Sequence, residues 1–110
     1  MSAKMLKFVD LKKENPLKRD TKKRRKDFNE IYDEFINAKA KEQSSRCSQC
    51  GVPFCQIHCP LSNNIPDWLK LTAEGRLKEA YELSQSTNNM PEVCGRICPQ
   101  DRLCEGNCVI

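Results

Sequence analysis

Aromatic residues and long apolar runs are both scarce in this sequence. Of its 110 residues, 38% are hydrophobic and 6% are aromatic, which is enough for one small domain with a thin apolar core. No stretch approaches the ~20 consecutive apolar residues that cross a membrane as a helix. The chain is therefore predicted to have no membrane partner, and its fold is expected to depend on more than hydrophobic burial.

A secretory signal is also missing at the N-terminus. The segment MSAKMLKFVDLKKE contains neither an uninterrupted apolar region nor a small-residue cleavage site. Eight cysteines in so short a chain would otherwise be typical of a secreted disulfide scaffold. We expect a cytoplasmic location instead, where thiols stay reduced and can bind metal.

The residues that usually form catalytic and nucleotide-binding motifs are few. The four glycines nowhere form G-x-G-x-x-G after a strand, so a dinucleotide-binding fold is not expected. The single histidine, His58, lies within a run of cysteines, and no nucleophile with an adjacent base is recognisable. We therefore predict that the chain holds no catalytic site, and we interpret His58 as a solvent-facing turn residue.

Charge divides the chain into two parts. The formal net charge is +4, and most of the excess lies in KRDTKKRRK, from Lys18 to Lys26. Pro16 breaks helix, the basic side chains repel one another, and little apolar material is available before residue 27. Residues 1–26 are therefore predicted to form an extended basic arm with little regular structure, and residues 27–110 to form the folded domain.

Helical signals dominate the predicted domain. Apolar residues recur at helical spacing and predict a first helix from Asp27 to about Lys41. These residues are Phe28, Ile31, Tyr32, Phe35 and Ile36. A second helix is predicted in NNIPDWLKLTAEG, with Asn63 or Asn64 as its cap and Gly75 as its stop, and a third in RLKEAYELSQST. No alternating strand pattern appears, so the fold class is predicted to be all-α, with two cysteine-rich loops facing each other across short helices.

The eight cysteines fall into two sets. The first set has the spacing C-x2-C-x4-C-x3-C-P, and the second has C-x3-C-P-x4-C-x3-C. The first set consists of Cys47, Cys50, Cys55 and Cys59, and the second of Cys94, Cys98, Cys104 and Cys108. Thiolates two or three residues apart on a turn can converge on one metal centre, and a proline after the last of them turns the chain away.

The proline after Cys59 indicates how the two sets combine. In bacterial ferredoxins, the cysteine before such a proline ligates the other of two clusters. By this precedent Cys59 belongs to the second centre, and Cys108 is available to complete the first. The spacing therefore predicts two iron-sulfur centres that exchange ligands between the two cysteine sets.

Three other interpretations use the same residues. Two zinc sites would use all eight cysteines, although zinc ribbons favour two C-x2-C knuckles and this sequence has one. Four disulfides would need an oxidising compartment. A zinc-stapled domain with a basic arm could bind nucleic acid, but no aromatic residues interleave with Lys22 to Lys26, so no nucleic-acid partner is expected.

Several segments resemble a domain of known proteins. The likeness lies in RCSQCGVPFCQIHCPLSNNIPDWLKL and TNNMPEVCGRICPQDRLCEGNCVI, with FVDL and EIYDEF upstream. These segments resemble the N-terminal iron-sulfur domain of the small (beta) subunit of bacterial glutamate synthase, which is of the dihydropyrimidine dehydrogenase N-terminal type. Related domains occur in other NAD(P)H oxidoreductases. The likeness runs from about Phe8 to the last residue.

The resemblance implies an α-helical ferredoxin-like domain with two 4Fe-4S clusters that relays electrons. Electrons from NADPH would pass through the FAD of the same subunit and reach the large (alpha) subunit, where glutamate is formed from glutamine and 2-oxoglutarate. The FAD and NADPH sites would lie in the remainder of the subunit, so the chain is expected to be a fragment.

The resemblance also implies an assignment of ligands. One cluster would be bound by Cys47, Cys50, Cys55 and Cys108, and the other by Cys59, Cys98 and Cys104. The fourth ligand of the second cluster stays open between Cys94 and a residue beyond Ile110. The i, i+4 relation between Cys94 and Cys98 would place both thiols on one face if that segment is helical.

Overall fold

A computed structural model describes residues 4–110, which contain six α-helices and three short 3-10 helices. The α-helices are α1 (Thr21–Arg24), α2 (Asn37–Ser44), α3 (Phe54–His58), α4 (Ile65–Ala73), α5 (Leu77–Gln85) and α6 (Pro91–Ile97). The 3-10 helices are Lys7–Val9, Gln100–Arg102 and Glu105–Asn107. The single β feature within residues 4–110 is an isolated antiparallel bridge between Lys18 and Tyr32. The all-α fold class is thus confirmed for these residues, while the ferredoxin-like arrangement stays a prediction.

The second and third predicted helices are present as α4 and α5. Pro66 lies in the first turn of α4, where its missing N–H costs nothing. Asn64 occupies the cap position without a capping bond from its side chain, because that side chain accepts a hydrogen bond from Gln56 instead. Gly75 follows α4 with a φ of 80°, a left-handed conformation that favours glycine. The local signals therefore defined both helices correctly.

The prediction of a helix from Asp27 to Lys41 is wrong. The helix in this region, α2, begins at Asn37, and the preceding residues pair with the arm. The Arg19 N–H donates to the Ile31 carbonyl at 2.7 Å, and the Asp33 N–H donates to the Leu17 carbonyl at 2.7 Å. These backbone bonds replace the ones that a helix would make. The apolar stripe consequently does not form, and its first member, Phe28, is fully exposed.

The basic arm lies against the first cysteine loop. The Leu6 N–H donates to the Cys47 carbonyl at 3.0 Å, and the Lys7 N–H donates to the Ser45 carbonyl at 3.0 Å. The Arg46 guanidinium donates to the Leu11 carbonyl at 2.9 Å. The first three residues of the predicted arm lie outside the described residues. The division of the chain at residue 26 stays a prediction.

The apolar core is as thin as the composition predicts. Within residues 4–110, Ala73 of α4 and Ala80 of α5 are the buried hydrophobic residues of the core, and Pro66 of α4 is buried as well. No large side chain in this part of the chain is fully buried. None of the helices of residues 4–110 has both the length and the apolar character that a membrane crossing requires. Burial alone therefore contributes little to holding the two cysteine loops in place.

Candidate metal centre

The cysteines lie on short helices and at their ends. Cys55 is on α3, and Cys59 follows α3 in extended conformation. Cys94 is on α6, and Cys98 follows α6 in extended conformation. The Cys98 N–H donates to the Cys94 carbonyl at 3.0 Å, so these two residues are one helical turn apart. The helical condition that favours Cys94 as a ligand beside Cys98 is therefore met.

Cysteines of both sets meet at one cavity. Its volume is about 290 Å³. The cysteines that line it are Cys47, Cys50, Cys55, Cys104 and Cys108. Ile65, Trp68 and Leu69 of α4 contribute apolar walls. Cysteines from the start and the end of the predicted domain thus line one partly apolar cavity, where several thiolates could bind a metal centre together.

Five of the eight predicted cysteine ligands line this cavity, and three do not. The four cysteines assigned to the first cluster line it, and Cys104, assigned to the second cluster, lines it as well. The cavity lining does not include Cys59, Cys94 or Cys98. The division of the cysteines between two clusters stays a prediction. His58 is exposed, as predicted, but it is the last residue of α3 and not a turn residue.

The electrostatics of the cysteines disfavour free thiolates. Burial raises the pKa of the Cys55 thiol, and the nearby Cys108, Cys47 and Cys104 raise it further. Burial likewise raises the pKa of Cys104, and the charges of Glu105 and Cys98 add to the effect. Thiolates gathered here therefore need a positive partner, because each one opposes the ionisation of the next. A cationic metal centre supplies that partner, and its binding would release protons.

The donor set fits an iron-sulfur cluster. All eight cysteines are free thiols in the structure, and thiolates select iron-sulfur clusters, zinc or copper(I). Within residues 4–110, no three histidine, cysteine or carboxylate side chains are arranged to hold a single metal ion. A 4Fe-4S cluster takes one thiolate on each of its four irons. The cavity lining supplies that number in Cys47, Cys50, Cys55 and Cys108.

Two side chains near the cysteines were not identified from the sequence. The Ser48 hydroxyl lies 3.0 Å from the Cys50 sulfur. The Gln49 side-chain amide donates to the Cys47 sulfur at 3.3 Å. No spacing rule marks these residues as hydrogen-bond donors. Their position inside the C-x2-C segment was the signal that could have found them, because both lie between two ligands.

The turn between Cys104 and Cys108 leads to a steric prediction. A Cβ atom added at Gly106 would overlap the Asp101 carbonyl oxygen. Overpacking of this kind costs about 1–3 kcal/mol. Gly106→Ala should therefore lower the free energy of unfolding of the iron-sulfur-containing protein by about 1–3 kcal/mol. The change would be measured as a lower thermal midpoint and a faster loss of iron to a chelator. The matched control is Gly95→Ala on α6, where nothing lies within 4 Å of the new Cβ. Equal stability of the two variants would contradict the prediction.

Comparisons with known proteins match the chain to a family of 4Fe-4S cluster domains. Residues 24–110 match the family described as dihydropyrimidine dehydrogenase domain II, 4Fe-4S cluster. The chain is 71% identical over 106 residues to the glutamate synthase [NADPH] small chain of Azospirillum brasilense, which covers 96% of this chain and 22% of that protein. It is 53% identical over 110 residues to the Escherichia coli K12 protein of the same name, covering all of this chain and 23% of that protein.

A relative with another name matches a shorter segment. The chain is 49% identical over 88 residues to the putative oxidoreductase AegA of Escherichia coli K12, which covers 79% of this chain and 13% of that protein. The chain thus spans less than a quarter of the length of each of these relatives. The family match covers most of the chain and includes all eight cysteines. The chain belongs to the dihydropyrimidine dehydrogenase domain II, 4Fe-4S cluster family.

Proposed function

We propose that the chain is the electron-relay domain of an NADPH-dependent glutamate synthase. The observation that carries this proposal is the cavity at which cysteines of both sets meet, in a chain that belongs to a 4Fe-4S family. The identity of 71% to a glutamate synthase small chain favours this enzyme among the family members. The domain would pass electrons between the FAD of the small subunit and the large (alpha) subunit.

Four cysteines around the cavity would hold the first cluster. When bound, a 4Fe-4S cluster accepts and passes on one electron. The proposed ligands are Cys47, Cys50, Cys55 and Cys108, which all line the cavity. Trp68 and Ile65 would limit the access of water to this cluster from the side of α4. Limited water access and hydrogen bonds to sulfur are the means by which a protein sets a cluster potential.

The second cluster would be held by Cys59, Cys98 and Cys104, with Cys94 or a residue beyond Ile110 as the fourth ligand. The charge of Cys104 raises the pKa of Cys55, and the charge of Cys98 raises the pKa of Cys104. Cys104 also lines the cavity of the first cluster, which supports two clusters near enough to each other for an electron to pass between them.

The chemistry of the enzyme would take place outside this chain. We infer that FAD and NADPH bind in the remainder of the small subunit. Electrons would leave NADPH through FAD, cross the two clusters of this domain, and reach the large subunit for glutamate synthesis from glutamine and 2-oxoglutarate. A cytoplasmic location and the absence of a nucleic-acid or membrane partner complete the proposal. The residues of this chain then hold, orient and shield cofactors, and none of them reacts with substrate.

A second candidate function follows from the likeness to AegA. The 49% identity to that putative oxidoreductase means that a related NAD(P)H oxidoreductase could use the same cluster domain. In that case the residues around the cavity would have the same roles, and electrons would reach a different acceptor. Glutamate formation by the full-length protein together with a large glutamate synthase subunit discriminates between the two candidates.

Metal analysis tests the proposed clusters directly. Protein purified without oxygen should be brown and contain about eight iron atoms and as many acid-labile sulfides per chain. Stoichiometric zinc without sulfide would contradict the proposal. The Cys94→Ser variant resolves the open ligand: a loss of about four irons assigns Cys94 to the second cluster, and a full iron content points to a ligand beyond Ile110.

A further inference from the structure

Gln49 has an unusual backbone conformation in the first cysteine loop. Its φ is 53°, in the left-handed region that residues other than glycine rarely adopt. Such a conformation persists only when surrounding contacts compensate for its cost, and it is frequent at functional sites. Gln49 is half-buried and lies between Cys47 and Cys50. The contacts of its backbone and side chain therefore indicate what the conformation achieves.

Both the main chain and the side chain of Gln49 point N–H groups at one sulfur. The main-chain N–H donates to the Cys47 sulfur at 3.5 Å, and the side-chain Nε2 donates to the same sulfur at 3.3 Å. Nε2 also donates to the Pro66 carbonyl at 2.7 Å. Because the Pro66 carbonyl oxygen can only accept, the Gln49 amide must turn its nitrogen towards it. The same nitrogen, and not the amide oxygen, therefore faces the Cys47 sulfur.

The bond to Pro66 also fixes the amide in space. Pro66 is buried in the first turn of α4. Gln49 thus connects the cysteine loop to a helix, and its amide is held rather than free to turn towards solvent. A held donor contributes a steady electrostatic field at the sulfur, and in half-buried surroundings that field is screened less than in water.

We propose that Gln49 is a positioning residue that raises the reduction potential of the cluster bound by Cys47. The inference rests on the proposed function, since it requires a cluster with Cys47 as a ligand. Reduction adds one electron to the cluster and increases the negative charge on its sulfur ligands. N–H groups directed at a ligand sulfur stabilise the reduced form more than the oxidised form, which raises the potential.

The test is a redox titration of the full-length protein, loaded with clusters under anaerobic conditions and followed by electron paramagnetic resonance. Gln49→Leu removes the side-chain donor at similar size. We expect the ratio of reduced to oxidised first cluster, at the wild-type midpoint, to fall about tenfold, which equals about 59 mV for one electron. A wild-type midpoint in the loaded variant would overturn the inference. If the wild-type protein itself binds no cluster, the proposed function fails instead.

Two further variants separate potential tuning from folding. Gln56→Leu is the matched control, because Gln56 is next to Cys55 but its amide donates to Asn64 at 3.3 Å and not to sulfur. Its potential should equal that of wild type. Gln49→Gly suits the left-handed backbone and keeps the main-chain N–H, so it should load fully even if Gln49→Leu does not. A lowered potential in Gln49→Gly supports the inference, whereas a wild-type potential, or an equal shift in Gln56→Leu, overturns it.

Discussion

Cys55→Ser is expected to stop NADPH-driven glutamate formation by the assembled enzyme, with a loss of at least about 100-fold. Changes to groups that merely support a metal ligand already cost 10–100-fold, and Cys55 is proposed as a ligand itself. It lies on α3 with its thiol at the cavity beside Cys47 and Cys108. In the relay proposed above, a missing cluster would stop conduction, because electrons would have no second route between the FAD and the large subunit.

Two activities measured on the same preparation check this expectation. Glutamate formation from NADPH, glutamine and 2-oxoglutarate should be lost, while hydrolysis of glutamine should change little, since it transfers no electrons. The matched control is Ile57→Ser, which introduces serine at an exposed residue of the same helix. This control should retain its iron and both activities. Full glutamate synthesis by Cys55→Ser protein that lacks the first cluster would refute the relay.

The parts of the fold that follow from neighbouring residues were predictable from the sequence. Pro66 and Gly75 mark the ends of α4 within a few residues, and the structure follows both signals. Cys108 and Cys47 line one cavity, as the spacing of the cysteines led us to expect. The exchange of ligands between the two sets stays a prediction.

The parts that depend on distant pairing were not predictable. The segment before α2 has helical periodicity, but its backbone forms hydrogen bonds with Leu17 and Arg19 of the arm. A local sequence pattern does not predict pairing with residues that are more than ten positions away. Gln49 was missed for the same reason. Its left-handed backbone and its bond to Pro66 arise only when the cysteine loop lies against α4.

The short helices α3 and α6 were also not predicted. α3 has five residues and α6 has seven, and each carries one cysteine, Cys55 and Cys94 respectively. Helices of this length are not stable by themselves in water. Their periodicity is too short to recognise, and they depend on what surrounds them. α3 packs against α4 and against the 3-10 helix Glu105–Asn107 between Cys104 and Cys108, so its stability is expected to depend on the proposed metal centre.

Removal of iron is therefore expected to unfold most of residues 47–108. The core of the described chain consists of little more than Ala73 and Ala80. None of its six α-helices exceeds nine residues. Isolated helices shorter than about 12–15 residues are only marginally stable in water. Binding of a structural metal centre contributes directly to the free energy of folding when the core is this small. Without it, the conformational entropy of the chain favours the open state.

Hydrogen exchange measured peptide by peptide distinguishes this domain from the rest of a full-length protein. Peptides from α4 and α5 should exchange slowly in the loaded protein and at least about 100-fold faster after anaerobic chelation, because their mutual packing alone provides too little burial to protect them. Iron and sulfide added back should restore the protection, which is the control for irreversible damage. Unchanged protection of α4 and α5 in metal-free protein would mean that side-chain packing holds the domain. The cysteines would then be ligands placed on a preformed fold, not the groups that hold it together.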